Sequence, residues 1–313
     1  MLHNKDLLSI HDLTQDEVNE ILDLAKKLKV EQKAGIEHHL LKGKTLAMIF
    51  EKSSTRTRVS FETGMYQLGG QALFLSNKDI QLGRGEPVKD TARVLSRYVD
   101  GIMIRTFAHS EVEEFAKYAS VPVINALTDL LHPCQVLTDL LTMQEYKGKN
   151  LAGLHFAYIG DGNNMANSYL YGCAKMGIHC TIACPEGYEP NAAVLAGAKE
   201  DAKATGANIQ IVRDPAEAAK DADVLATDTW TSMGEEAEHA IREKVFQGYQ
   251  INKDLLALAD KRAIVMHCLP AYRGLEITDE VLEGNADVIF DEAENRLHTQ
   301  KAIMALLMGK KGN

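Results

Sequence analysis

Short apolar runs alternate with longer stretches of helical periodicity from one end of the chain to the other. Thr45-Leu46-Ala47-Met48-Ile49-Phe50 is a continuous apolar run, too short for a helix, and predicts a buried strand. Further strands are predicted at 72–75, 101–105 and 122–126, then at 155–159, 180–184, 209–212, 224–227, 263–266 and 288–290. Thr14 with Glu17 forms a capping box that opens a helix through Leu28. Helices are also expected over 55–68, stopped by Gly69-Gly70, over 88–98, over 111–118 with Ser110 as cap, and over 133–146, closed by Lys147-Gly148-Lys149. A last helix covers 302–308. Strands separated by helical segments imply right-handed crossovers and parallel sheets. The predicted fold class is α/β: two doubly wound domains, each a mainly parallel sheet flanked by helices. The division falls at 1–147 and 148–297, and a C-terminal helix at about 298–313 is able to pack back onto the first domain.

Length agrees with two domains, since 313 residues provide two cores of ordinary size. A net charge of −10 argues against a general nucleic-acid partner, so any local basic cluster needs a local, anionic ligand. No apolar stretch reaches the roughly 18–20 residues of a membrane span, and Met1 to Asp6 has neither a signal core nor transit character. The five cysteines (Cys134, Cys173, Cys180, Cys184, Cys268) are an odd set without paired metal-ligand spacing. A cytoplasmic protein is therefore expected, with most thiols acting as small core residues.

In open parallel sheets ligands bind at the carboxyl ends of the strands. After the first strand comes Glu51-Lys52-Ser53-Ser54-Thr55-Arg56-Thr57-Arg58, running straight into a helix. A helix N-terminus, hydroxyl groups and two fixed guanidinium forks together suit a phosphate, although a solvated capping segment is the alternative. Arg105, at the end of Ile102-Met103-Ile104, offers a second anion contact on the same edge. His132-Pro133-Cys134-Gln135 opens the long helix, with proline in the first turn and two donors beside it. Such donors polarise a carbonyl or hold an amide nitrogen, but a structural histidine is the default for this dipeptide alone.

In the second half, Ile159-Gly160-Asp161-Gly162-Asn163-Asn164-Met165 is similar to a dinucleotide fingerprint, with Glu186 after the next strand. Its third small position is Met165, and two amides intervene, so a small polar ligand fits better than a nucleotide. Asp228-Thr229-Trp230-Thr231-Ser232-Met233-Gly234 sets a carboxylate at a strand end, suited to an ammonium, with Ser232 and backbone N–H groups suited to a carboxylate. His267-Cys268-Leu269-Pro270 invites a nucleophile hypothesis. Adjacent strand residues face opposite ways, however, which argues against pairing His267 with Cys268. Glu294-Asn295-Arg296, after the expected strand at 288–290, adds another guanidinium.

Taken in order, Ser54-Thr55-Arg56-Thr57-Arg58, Arg105 and His132-Pro133-Cys134-Gln135 resemble the aspartate/ornithine carbamoyltransferase family. Asn164, Asp228 with Ser232-Met233-Gly234, and His267-Cys268-Leu269-Pro270 resemble its ornithine branch; the aspartate branch is expected to carry His-Pro-Leu-Pro at the last motif. The resemblance spans essentially the whole chain. It implies that 1–147 binds carbamoyl phosphate, that 148–297 binds ornithine, and that the carbamoyl group passes to the ornithine side-chain amine, giving citrulline and phosphate. It implies carbamoyl-phosphate contacts from Ser54, Thr55, Arg56, Thr57, Gln81, Arg105, His132, Pro133, Cys134, Gln135, Cys268, Leu269 and Arg296. The implied ornithine contacts are Asn164, Asp228, Ser232 and Met233, and the implied catalytic residues are Arg105, His132, Cys268 and Arg296. Arg58 is left between ligand contact and loop support, with Glu86 as the partner for such support. No metal and no cofactor are implied, because guanidinium groups supply the charge. The implied assembly is a homotrimer or a multiple of it, with domain closure and with Lys52 and the 81–86 loop as places where a neighbouring chain completes the site. Rival readings are a carbamoyltransferase for putrescine or an N-acylornithine, a nucleotide-binding oxidoreductase, and a non-catalytic anion-binding protein.

Overall fold

The computed structural model describes residues 2, 3 and 5–309. Met1, Asn4 and the end of the expected last helix, 310–313, lie outside the described residues. The chain divides into two compact units, Met1–Leu141 with Glu294–Asn313, and Thr142–Ala293. Both divisions fall inside helices, Pro133–Lys147 and Ala286–Met308.

The first unit is built on four parallel strands, β1 (Thr45–Phe50), β2 (Gln71–Ser76), β3 (Gly101–Arg105) and β4 (Val123–Leu127), in the order β2-β1-β3-β4. Leu46 to Ile49 of β1 and Ile102 to Ile104 of β3 are wholly buried. They occupy the two central positions, where helices cover both faces and the strand must be apolar on both. At the edge, β2 is half exposed, and its sequence is correspondingly mixed. Chain direction across the sheet reverses between β1 and β3, which makes that crevice the switch point. Phe50 pairs in register with Arg105, so the segments leaving both strands start level with one another.

The second unit carries β5 (His155–Ile159), β6 (His179–Ala183), β7 (Ile209–Val212), β8 (Val224–Thr227) and β9 (Ile264–His267) in the order β7-β6-β5-β8-β9, again all parallel. The switch point here lies between β5 and β8. The fold class read from the alternation, two doubly wound α/β units with parallel sheets, is the one observed. The Thr14–Glu17 capping box also forms, with both reciprocal bonds present.

Two local expectations fail. Residues 288–290 are not a strand; they lie in the first turns of the helix Ala286–Met308. Val288 and Ile289 are buried while Phe290 is 54 % exposed, which is not a strand's alternation, and no glycine or proline interrupts the run. A three-residue apolar run cannot by itself separate strand from buried helix. Ser110 is not a cap either: the helix His109–Tyr118 already contains it, and Ala108 precedes the helix without a side-chain bond. Among the described residues, no helix is long and apolar enough to cross a membrane.

Candidate active site

Anion chemistry gathers at the switch point of the first unit. Ser54 leaves β1 in an extended conformation and caps the helix Thr55–Gln67, its hydroxyl accepting from the Thr57 N–H at 3.2 Å. No acidic residue lies in that first turn, so its positive dipole end is uncompensated by its own sequence. Thr55 is exposed, Arg56 half-buried and Thr57 buried. Arg105, 5 % exposed, ends β3 beside this loop. His132 is likewise buried, just ahead of Pro133 at the start of the helix Pro133–Lys147.

Arg296 joins these pieces. It comes from within the helix Ala286–Met308, not from a strand end as expected, and it belongs to the first unit. Its guanidinium donates to Thr57 Oγ1 at 3.2 Å and to Gln135 Oε1, while Gln135 Nε2 donates to Asp139 Oδ1 at 2.8 Å. Burial, followed by the charges of Arg296, Arg105 and Arg56, holds His132 well below the ordinary imidazole range. His132 is thus a neutral ring among three guanidinium groups, a polar donor and not a further cation.

Other expected contacts stand apart from this cluster. Cys134 is buried and donates to the Asn125 carbonyl at 3.4 Å, and burial pushes its thiol up to about 12. Its side chain therefore faces β4, leaving only its backbone for a ligand. Gln81 is exposed on a short turn of its own, Gln81–Arg84. Arg58 resolves toward support: it bonds Glu62 at 3.2 Å and lies 3.7 Å from the centre of the Phe74 ring, whereas Glu86 accepts from Thr91. Lys52 is buried, pairs with Asp129 and lies over the Phe107 ring at 4.3 Å.

At the switch point of the second unit, Asp228 follows β8 and is 9 % exposed. Its Oδ2 accepts from Asn163 Nδ2 at 2.9 Å, and its Oδ1 accepts from Cys268 Sγ at 3.2 Å. Asn163 caps the helix Asn164–Met176, which places Asn164 in its first turn. His267 turns away from Cys268: its Nδ1 accepts from the Leu269 N–H at 2.9 Å, so its proton sits on Nε2, facing Glu276 Oε1 at 3.0 Å. The Cys268 thiol donates to Asp228 and not to His267, so the two residues do not form a cysteine–histidine dyad. Leu269 adopts φ 57°, a left-handed conformation costly for leucine and held here by the His267–Glu276 contacts. Ser232 and Met233 lie on a turn beyond Asp228, where the Ser232 N–H donates to Glu235 at 3.2 Å and Met233 is 44 % exposed.

Gly162, after β5, is packed against protein backbone. A Cβ on Gly162 would lie 2.3 Å from the Glu189 carbonyl carbon and from Pro190 N, and the Gly162 N–H donates to Tyr188 O. Protein backbone thus fills the space that a pyrophosphate needs beside the second glycine of a fingerprint.

Two family models divide the chain between them. Residues 5–145 match the carbamoyl-P binding domain of aspartate/ornithine carbamoyltransferases, and 152–307 match the Asp/Orn binding domain. The chain belongs to the aspartate/ornithine carbamoyltransferase family. It is 59% identical over 302 residues to an ornithine carbamoyltransferase of Pelobacter propionicus, covering 96% of this chain and 98% of that one. The solved ornithine carbamoyltransferase of Pyrococcus furiosus is 53% identical with a TM-score of 0.93, over 97% of this chain and 96% of that one. That of Gloeobacter violaceus is 54% identical with a TM-score of 0.88, over 99% and 100%.

Three pairings lay outside the motif reading, although Asn163 and Glu51 stand within segments read from the sequence. Asn163 bonds Asp228, Glu51 bonds Thr106, and Arg242 donates to Asp161 Oδ2 at 2.9 Å. Asn163 carried a local signal, a capping asparagine ahead of an apolar helix. The pairings of Glu51 and Arg242 are long-range and left no trace in spacing.

Proposed function

We propose that this carbamoyltransferase moves the carbamoyl group of carbamoyl phosphate to the side-chain amine of L-ornithine, forming L-citrulline and phosphate in arginine metabolism. The observation that carries the choice of amine is the Asp228 carboxylate, set at a switch point between an amide and a thiol. A carboxylate there suits an ammonium group. Arg242, the guanidinium on the same edge, is already engaged by Asp161, Glu235 and Glu238, so it does not offer the cation that a dicarboxylate such as aspartate requires. The names of the relatives support the same reading.

In this reading Ser54, Thr55, Arg56, Thr57 and Arg105 bind the phosphate, with Gln81 as a further contact. Arg105, Thr57 and the neutral His132 hold the carbamoyl oxygen; Gln135 takes the carbamoyl nitrogen, oriented by Arg296 and Asp139. Asp228 takes the α-ammonium, Asn164 and the Ser232-Met233 turn take the α-carboxylate region, and Cys268 and Leu269 border the attacking amine. The neutral amine attacks the carbamoyl carbon, a tetrahedral intermediate forms, and the C–O bond to phosphate breaks. The departing phosphate accepts the amine proton, so no protein base is needed. Each donor aimed at the developing negative charge supplies about 3–4 kcal/mol.

The proposed assembly is a homotrimer or a multiple of it, in the cytoplasm. All five cysteines are free, and Gln81 is exposed where a neighbouring chain can meet it. Lys52, paired within its own unit, is the weaker candidate for that contact. Purified protein mixed with carbamoyl phosphate and ornithine should release phosphate and citrulline in equal amounts. Phosphate release that is independent of ornithine would contradict the proposal.

A further inference from the structure

Asn163 makes two kinds of bond at once: it caps a helix and it holds the Asp228 carboxylate. Its Oδ1 accepts from the Met165 and Ala166 N–H groups at 2.9 and 3.2 Å, closing the first turn of the helix Asn164–Met176. The Tyr158 hydroxyl donates to the same oxygen at 3.4 Å. Its Nδ2 donates to Asp228 Oδ2 at 2.9 Å. The amide cannot turn over, since that would face NH₂ toward two backbone N–H groups and an oxygen toward a carboxylate.

A carboxylate on its own has a broad, two-fold χ2. Asp228 is an acceptor on both oxygens, so a fixed donor on Oδ2 sets its plane and leaves Oδ1 on the Cys268 side. Ser, Thr and Asp also cap helices well, but none has an amide donor opposite the capping oxygen. Asparagine caps through one atom and orients the carboxylate through another, so neither bond competes with the other.

We propose that Asn163 is a positioning residue for the amine substrate: by holding the Asp228 carboxylate in one orientation, it sets the affinity of the site for an α-ammonium. The inference rests on the reading of Asp228 as the ammonium partner. It assigns to Asn163 no contact with either substrate.

The test compares Asn163→Ser, Asn163→Asp, Asp228→Asn and the double variant Asn163→Ser/Asp228→Asn with the wild type. Melting temperature, kcat, and KM for ornithine and for carbamoyl phosphate are measured for each. Ser keeps the cap, so Asn163→Ser should melt close to the wild type; Asn163→Asp keeps it too but faces Asp228 with a like charge and should melt lower. Losing a hydrogen bond to a charged group should raise the ornithine KM about tenfold or more in Asn163→Ser. Asn163→Asp should raise it further, by setting a second carboxylate against Asp228. The KM for carbamoyl phosphate should stay within about twofold, because Asn163 bonds Asp228, Tyr158 and its own helix and shares none of these partners with the residues read as binding carbamoyl phosphate. The double variant should be no worse for ornithine than Asp228→Asn alone, since the amide acts only through that carboxylate. If both variants at 163 keep the wild-type ornithine KM while Asp228→Asn raises it, Asn163 is a cap only and the inference fails. Multiplying effects in the double variant overturn it as well. If Asp228→Asn itself leaves the ornithine KM unchanged, the reading of Asp228 fails first and the inference falls with it.

Discussion

Thr106 has a single hydroxyl hydrogen, yet its Oγ1 is hydrogen-bonded to carboxyl oxygens of both Glu51 and Glu111. One of those contacts needs a proton on the carboxyl side. Burial and then the neighbouring Glu51 carboxylate push Glu111 up to about 7, against the pull of the Thr106 hydroxyl, so Glu111 is the one that carries it. Its ordinary value is 4.5, and the folded chain therefore binds this proton more tightly than the unfolded one. The stability it contributes is complete below about 4.5 and is lost as pH rises through about 7. Glu111→Gln keeps a neutral partner for Thr106 and should gain in melting temperature relative to wild type between pH 5 and 8. Parallel melting profiles for the two proteins would rule this out. In the proposed mechanism Arg105→Ala removes a donor to the developing charge and should lower kcat by about 10²–10³. Cys268→Ala should cost far less, because His267 faces Glu276 and does not pair with the thiol, which donates to Asp228. Equal loss in the two variants would restore Cys268 as a nucleophile.

Elements explain why some of these residues were legible and others were not. The loop from Ser54 to Arg58 could be read because its chemistry is consecutive and sits between an apolar run and a helix, both of which form as expected. Gly162 was visible too, but not its purpose, which depends on a loop some 26 residues later packing against it. Gly162→Ala would drive a Cβ into the backbone of 188–190, where no flexible side chain can yield. It should destabilise the protein by about 1–3 kcal/mol. A melting curve unchanged from wild type would show that this loop moves freely. Arg296 was identified as a site residue and yet placed on the wrong kind of element. The apolar triplet Val288-Ile289-Phe290 looks the same in a strand and in a buried helix, and only the uninterrupted run to Met308 separates them. That helix also bonds both ends of the helix Thr55–Gln67, Arg296 at Thr57 and Lys301 at Gln67. Ser54→Ala, removing the cap at the first of those ends, should cost about 1 kcal/mol of stability. It should also raise the KM for carbamoyl phosphate, and a melting temperature and KM equal to wild type would show that the cap carries neither function.

For the molecule as a whole, alternation of strand and helix was enough to give two doubly wound units, since parallel sheets need crossovers and crossovers need helices. Strand order was not legible, and it is strand order that puts Ser54 beside Arg105 in one unit and Asn163 beside Asp228 in the other. The net charge of −10 argues against a general nucleic-acid partner, and the guanidinium cluster of Arg56, Arg105 and Arg296 is a local feature. That cluster suits carbamoyl phosphate whatever the acceptor; the amine depends on Asp228 and its neighbours alone. The most direct test is therefore carbamoyl transfer from carbamoyl phosphate to ornithine, putrescine, N-acetylornithine and aspartate, assayed side by side by product formation. Ornithine should be preferred by at least about tenfold in kcat/KM over the analogues that lack either its α-ammonium or its α-carboxylate. Preference for aspartate, or equal rates with putrescine, would contradict the account.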